Sequence, residues 1–412
     1  MSTIKRAVII GGGPAGLISA LRLKRENGID STVYEIREKP STIGGAINIP
    51  PNGIRLFNEL GLYDALNARA ASVSLLTVTS ATQGSSPIEH EMGESCKKAT
   101  GFGVWRVLRS DLIDVLMDAV EREKILVLFG KKLTDVIETK ETVKVIFADG
   151  TDDSADILLG CDGIHSAVRK LHVDPRVEPE YSGVSNMFAI LPSTALSFPP
   201  DAKPTMRMSF SSDGLFSVIP CTASSDYLYW FFSRKVEMPK DGGSRDGWEA
   251  FGKKDVENLK SGLFDTLKSV AGEWGNALRG LISATETIKF YPIYKMSSSC
   301  QWFTGRSILL GDAAHAMPPH LGQGTSMALE DVFLLSRLLE SQPIELADAF
   351  SLYEKIRRPR IERISQGAVR SGNLRTKMDS TMSQTREETL AAQWRDKSRM
   401  DDYSYNIIET KL

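Results

Sequence analysis

Four glycines within Gly11-Gly12-Gly13-Pro14-Ala15-Gly16 constrain this chain more than any other feature. They follow an apolar, β-branched run ending in Val8-Ile9-Ile10 and lead into an apolar-periodic segment through Leu17, Ala20, Leu21 and Leu23. That is the pattern of a buried parallel strand, a glycine turn and a helix. Gly28 is placed to close the helix, and Thr32-Val33-Tyr34-Glu35 reads as the second strand of a βαβ unit. Gly11, Gly13 and Gly16 fit G-x-G-x-x-G. The first allows a tight turn, the second lets backbone approach a pyrophosphate, and the third lets helix and strand pack closely. Pro14 and Ala15 open a helix whose free N–H groups suit phosphate. Glu35 ends the second strand, where a carboxylate accepts ribose hydroxyls and repels a 2′-phosphate; Arg37 is assigned to the same site. A lone glycine motif says little, but strand, helix, strand and acid in this order specify a dinucleotide site.

At 412 residues the chain exceeds the usual span of one hydrophobic core, so two lobes are expected. Hydrophobic residues at 42% and charged residues at 25% are ordinary for a globular protein. A net charge of -2 gives no field favouring nucleic acid or an anionic membrane, and neither partner is expected. The cysteines, Cys96, Cys161, Cys221 and Cys300, form no C-x-x-C pair and read as reduced thiols of a cytoplasmic protein. The N-terminus runs straight into a strand, which argues against a cleavable signal peptide. No apolar run reaches the roughly 18 residues that span a bilayer. Thr410-Lys411-Leu412 is a distant match to the peroxisomal S-K-L address, with Thr in place of Ser, and makes peroxisomal the alternative compartment. His90, His165 and His172 lack metal-ligand spacing, and no metal is expected.

Residues 54–66 read as helical with a break at Gly61, and 111–121 as a further helix. Segments 133–138 and 143–147 read as a hairpin, after which Asp149-Gly150 turns the chain into a strand at 156–159. From 181 to 291 short β-rich stretches (Thr205–Phe210, Gly214–Ile219, Tyr227–Phe232) alternate with polar turns, aromatics accumulate, and one helix is expected near 246–271. Ser307–Leu310 returns to a buried strand and 324–340 to a long helix. After 371 the chain is highly charged, as in a helical tail packed on the outside.

Two further motifs follow strands. One runs Gly160-Cys161-Asp162-Gly163 to Arg169; the other is Gly311-Asp312-Ala313-Ala314-His315, followed by Pro318, Pro319, Gly322, Gln323 and Gly324. With the first motif, in this order, they resemble the three fingerprints of the FAD-dependent class A flavin monooxygenases, the aromatic hydroxylases of the p-hydroxybenzoate hydroxylase fold. The resemblance runs over about residues 4–375 and implies an α/β fold. A Rossmann-type, ββα-extended FAD-binding domain would comprise 1–75, 100–180 and 291–375. A mixed-sheet substrate domain would comprise 76–99 and 181–290, and a C-terminal helical tail 376–412. The resemblance further implies that Asp312 holds a ribityl hydroxyl of FAD. Arg109 would contact the phosphate and ribityl region, and Gly44-Gly45-Ala46 would form the loop passing the flavin ring. Asp162 and Gly163 would serve FAD and a transiently bound nicotinamide. Gly322 and Gly324 would bring backbone to the pyrimidine side, where N–H groups stabilise negative charge, and Pro319 is assigned to the same cofactor site. Ser326 stands where the family usually has Asn. His315 is placed beside the FAD phosphates, and Trp302-Phe303-Thr304-Gly305-Arg306 is structural.

His320 lies on the loop that the resemblance places near the flavin and is the candidate catalytic residue. Arg207 and Tyr229, on strands that give one face to a pocket, are the candidate substrate-binding residues. No second G-x-G-x-x-G follows a strand, which fits NADH or NADPH docking as a transient co-substrate. The activity implied is an NAD(P)H- and O2-dependent FAD monooxygenase that hydroxylates or epoxidises an electron-rich aromatic small molecule through a flavin C4a-hydroperoxide. A flavin-dependent halogenase would carry W-x-W-x-I-P where this chain has Leu215 and Ser217 in place of the tryptophans. An FAD-dependent reductase or desaturase, and a non-enzymatic FAD-binding interaction protein, are the other readings.

Overall fold

In the computed structural model the described residues are 4–40, 45–80, 87–199, 203–211, 213–238, 245–268, 270, 272–340, 345–376 and 383–412. The chain opens with β1 (Arg6–Ile10), α1 (Pro14–Asn27) and β2 (Asp30–Tyr34), then β3 (Ala46–Ile49), α2 (Pro51–Glu59) and α3 (Tyr63–Asn67). Next come β4 (Ala71–Ser72), β5 (Leu75–Ser80), β6 (Ile88–His90), α4 (Met92–Thr100), β7 (Trp105–Leu108) and α5 (Arg109–Arg122). β8 (Leu126–Leu128), β9 (Leu133–Glu138), β10 (Val143–Phe147), β11 (Asp152–Ala155) and β12 (Ile157–Gly160) follow. A second β-rich stretch holds β13 (Glu180–Pro192), β14 (Thr205–Phe210), β15 (Gly214–Pro220) and β16 (Tyr227–Lys235). α6 (Arg245–Lys268) and α7 (Gly272–Ala284) precede β17 (Lys289–Lys295), β18 (Phe303–Thr304) and β19 (Ser307–Leu309). The last elements are α8 (Asp312–His315), α9 (Gly324–Glu340), α10 (Leu346–Thr376), α11 (Ser383–Arg395) and α12 (Lys397–Ser404).

A six-stranded sheet in the order β18-β19-β12-β1-β2-β8 carries the glycine loop. β1 is central, parallel to both β2 and β12. Its residues Ala7, Val8 and Ile9 are fully buried, which is why the run is continuously apolar rather than alternating. β9, β10 and β11 form a three-stranded antiparallel layer. The Asp149-Gly150 turn therefore leads into β11 first, not directly into the parallel strand at 157–160. The polar β11 sequence, Asp-Asp-Ser-Ala, hides the strand. Asp153 within it is held by Arg6 at 2.6 Å and by the Tyr34 hydroxyl at 2.7 Å.

A mixed seven-stranded sheet, β17-β13-β16-β15-β14-β5-β6, includes one parallel pair, β14 with β5. Its two faces are covered differently. Met187, Phe216, Trp230 and Phe232 pack with α6 and α7; Phe188, Met206, Met208, Tyr229 and Phe231 pack with Leu390 and Trp394 of α11. The helix expected near 246–271 is α6, and a second helix that the sequence did not announce, α7, starts at Gly272, which adopts φ +76°. Beyond 383 the charged tail is helical and buries Leu390, Trp394, Tyr403 and Ile407. No helix of the described residues is long and apolar enough to cross a membrane.

Candidate functional site

The three motifs meet at the C-terminal ends of β1, β12 and β19. Gly11 adopts φ +112° and lies against the Cys161 carbonyl, so a Cβ there would overlap the second motif. A Cβ on Gly16 would overlap the Gly11 carbonyl oxygen. Gly13, at the start of α1 with Pro14 and Ala15, has no atom within 4 Å of its missing Cβ, which leaves open space before the helix N-terminus. Glu35 is buried just past β2. Its carboxylate accepts from the Gly12 N–H at 2.7 Å and the Arg37 N–H at 3.0 Å, while the Arg37 guanidinium stays exposed. Asp162 accepts from the Ala167 N–H at 2.6 Å and the Val168 N–H at 3.2 Å, and Gly163 turns the chain at φ +78°.

Asp312 opens α8 and is exposed to solvent. Desolvation by the surrounding protein pushes the Asp312 carboxyl upward, opposed by Arg109 and His315. Tyr291 of β17 lies within electrostatic reach of Asp312 and Arg109. It is 43% exposed, yet burial raises its phenol, with Asp312 adding and Arg109 opposing. Arg109, exposed at the start of α5, receives its position from a backbone hydrogen bond to Gly45 at 3.0 Å. These open yet enclosed surfaces, the free approach to Gly13 and Gly324, and the anchored Glu35 carboxylate fit a dinucleotide laid from the glycine loop toward Asp312.

The Gly45-Ala46 segment touches the second sheet; Gly44 lies outside the described residues. A Cβ on Gly45 would enter the Tyr229 ring and stand 3.1 Å from Phe188. Tyr229 is covered by the buried Arg106 guanidinium at 4.4 Å. Arg106 also donates to Asn48 Oδ1 at 2.9 Å, and Asn48 abuts Gly322, whose φ is +65°. Pro319 opens the short turn ahead of Gly322 and is exposed, and Gly324 begins α9. The sequence reading missed Arg106, Asn48 and Tyr291. A charge within the otherwise apolar Trp105-Arg106-Val107-Leu108 was the available signal for the first.

Three expected placements differ. Arg207 faces the α7 side of the sheet, opposite to Tyr229: it lies over Phe198 at 4.9 Å and Trp274 at 5.2 Å. Strand alternation decides this, since Met206 and Met208 take the inner face. His320 is buried with its ring edge against α10. A Cβ on Gly372 would come within 2.6 Å of its Cδ2, a position suited to fixing the loop. His315 turns inward and pairs with Asp331 Oδ2 at 2.7 Å.

Asp331 also accepts from the Gly311 N–H at 2.9 Å and from Arg357 Nε at 2.8 Å. Arg357 and Arg360 both donate to Glu330, and Asn52 joins them at 2.8 Å. Burial raises both carboxyls, but His315 and Arg357 beside Asp331, and Arg360 and Arg357 beside Glu330, prevail and hold them below the usual range. This network fixes the third motif to α9 and α10.

The chain matches the FAD binding domain family over residues 5–251 and 285–368, more than half its length, and belongs to that family. It is 29% identical to the 3-amino-4-hydroxybenzoate 2-monooxygenase of Streptomyces cremeus over 89% of this chain and 86% of that one. It is also 29% identical to the 6-hydroxynicotinate 3-monooxygenase of Pseudomonas fluorescens, over 92% and 94%. Klebsiella pneumoniae HpxO, solved with FAD and uric acid, superposes with a TM-score of 0.79 at 25% identity, over 98% of this chain and 97% of that one. The protein is an FAD-dependent monooxygenase of the aromatic hydroxylase class.

Proposed function

We propose that this chain hydroxylates a small, electron-rich aromatic ring held between the inner face of the seven-stranded sheet and the Gly45 and Gly322 loops. The observation that carries the reading is the meeting of Tyr229 with Gly45 and Arg106, which sets an aromatic wall directly against the cofactor loops. Bound FAD, reduced by NADH or NADPH, supplies the activation of O2 from which one oxygen atom passes to the ring.

The chain's own residues bind, orient and exclude water. Gly11, Gly13 and Gly16, with the α1 N–H groups behind Pro14 and Ala15, would hold the pyrophosphate. Glu35, fixed by the Gly12 and Arg37 N–H groups, has lone pairs left for ribose hydroxyls. Asp312 and Arg109 would serve the ribityl and phosphate region. Ala46 and Pro319 shape the loops beside the ring, and Gly322 and Gly324 would direct backbone N–H groups at its pyrimidine edge. Asp162 and Gly163 hold the second motif in place. His320 has a positioning role, supported by its packing against Gly372. Phe188 and Phe231 flank Tyr229, in one apolar cluster with Met206, Leu390 and Trp394, and would keep water from the reacting ring.

The division into a discontinuous cofactor domain, a substrate domain built on the seven-stranded sheet and a helical tail is part of this reading. The relatives named for 3-amino-4-hydroxybenzoate and 6-hydroxynicotinate favour a comparably small, ring-activated substrate. A cytoplasmic location is supported by four free, buried cysteines. The test is turnover with NAD(P)H under labelled O2, with and without bromide, followed by mass spectrometry. One labelled oxygen in the product is expected. Product formed at full rate without O2, or a brominated product, would refute the reading.

A further inference from the structure

Arg106 stands where the cofactor and substrate sides join. It lies in β7 opposite Asn48 of β3 and is 6% exposed. Its guanidinium stacks on Tyr229, and Nη1 donates to Asn48. Among the described residues no carboxylate forms an ion pair with it, and its Nε–H has no acceptor. The ionisable groups acting on it are Tyr229, Cys221 and Arg109, so its immediate surroundings offer no negative charge at neutral pH. The buried Arg357 and Arg360, in contrast, are neutralised by Glu330 and Asp331. An arginine keeps its proton in a protein, and buried charges are as a rule paired. Arg106 therefore lacks an anion, at a point where Tyr229 meets Gly45 and Asn48 meets Gly322.

We propose that Arg106 is the specificity-determining cation of the substrate site, pairing with a carboxylate carried by the aromatic substrate while the ring packs along Tyr229 and Phe188. The inference rests on the reading that this face holds an aromatic substrate. A guanidinium fork matches a carboxylate bidentately, and this pairing would supply both the missing charge and the missing acceptor. Arg109 does not compete for the role, since it is exposed and faces Asp312.

The experiment titrates the FAD-loaded protein with benzoate, 4-hydroxybenzoate and 6-hydroxynicotinate, each against its carboxamide, following the flavin absorbance change. The parent is expected to bind at least one acid about tenfold or more tightly than its amide. Arg106→Met is expected to weaken that acid by about 10- to 100-fold, to leave the amide within about threefold, and to retain FAD. Should Arg106→Met not fold, Arg106→Lys carries the test, with a smaller loss of acid preference because an ammonium lacks the fork. Acid preference that survives in both variants overturns the proposal. So does loss of FAD from a folded Arg106→Met, which would make the cofactor the partner of this cation. A parent that takes neutral aromatics and no acid overturns the inference alone. A parent that binds no aromatic of either kind overturns the functional reading and the inference with it.

Discussion

In the parallel sheet, the strands beside the glycine loop are buried on both faces, and the residues facing the cofactor region follow the strand ends. Gly11, Gly13, Asp162 and Asp312 all lie just beyond β1, β12 or β19. In the seven-stranded sheet the proposed site lies along the strands themselves, and alternation assigns each side chain either to the Phe188 and Tyr229 face or to the face under α6 and α7. The first region works through backbone conformation, which glycine spacing writes into a short stretch of sequence. The second works through side chains whose direction depends on long-range register. Substitutions should therefore fail in different ways on the two sides.

The largest expected effect lies behind the cofactor loops. Arg357→Met leaves Glu330 and Asp331 buried with fewer partners and should cost about 3–5 kcal/mol, measurable by chemical denaturation with FAD bound. Its pH dependence sharpens the point. Both carboxyls have lowered folded values, so their stabilisation is complete above the ordinary carboxylate range and is lost as pH falls through those folded values. The parent should lose stability in acid more steeply than Arg357→Met; parallel acid profiles would show that the network contributes nothing linked to protons.

Gly16→Ala is expected next, with overpacking of about 3 kcal/mol against the Gly11 carbonyl and about 100-fold weaker FAD retention on gel filtration. Gly13→Ala makes the sharper comparison. It has room for a Cβ, so it should fold normally and lose FAD only because a phosphate approaches there. Undiminished FAD in Gly13→Ala would remove the pyrophosphate from that position.

Asp312→Ala should weaken FAD by about 1.5–3 kcal/mol, as loss of a hydrogen bond to a charged group does. His315→Ala should weaken it less, since that ring is bonded to Asp331. Equal affinities of Asp312→Ala and the parent would reduce Asp312 to a helix-terminal residue.

Arg207→Met should have the smallest effect. Losing its contact with Phe198 and Trp274 should cost about 1 kcal/mol or less in stability, with KM for the aromatic substrate unchanged. A raised KM with unchanged stability would return Arg207 to the substrate side.

The glycine loop, the Asp162 and Asp312 motifs and the strands β1, β2, β12 and β19 were legible in sequence because each is a local requirement on backbone conformation, whereas the short edge strand β8 was not. β11 was not, because polar residues form it and its pairing with β10 is what makes it a strand. Arg207 and Tyr229 looked equivalent, each lying on a β-rich segment. Only the pairing of β14 with β5 and of β16 with β13 and β15 separates their faces. Arg106 was hidden for a similar reason: its contacts come from β3 and β16, which its own strand cannot announce.

The placement of β19 has a consequence for synthesis. β1 emerges first from the ribosome, yet the strand carrying Asp312 at its end lies about 300 residues later, on the far side of β12. At roughly 5–20 residues per second, a nascent chain spends about 15–60 s with its glycine loop made and its cofactor pocket incomplete. From the emergence of β12 onward the outer edge of that strand awaits its partner, so aggregation during translation should be most acute just before residue 307 appears. Cofactor capture then waits for Asp312 to emerge rather than acting as a seed for folding.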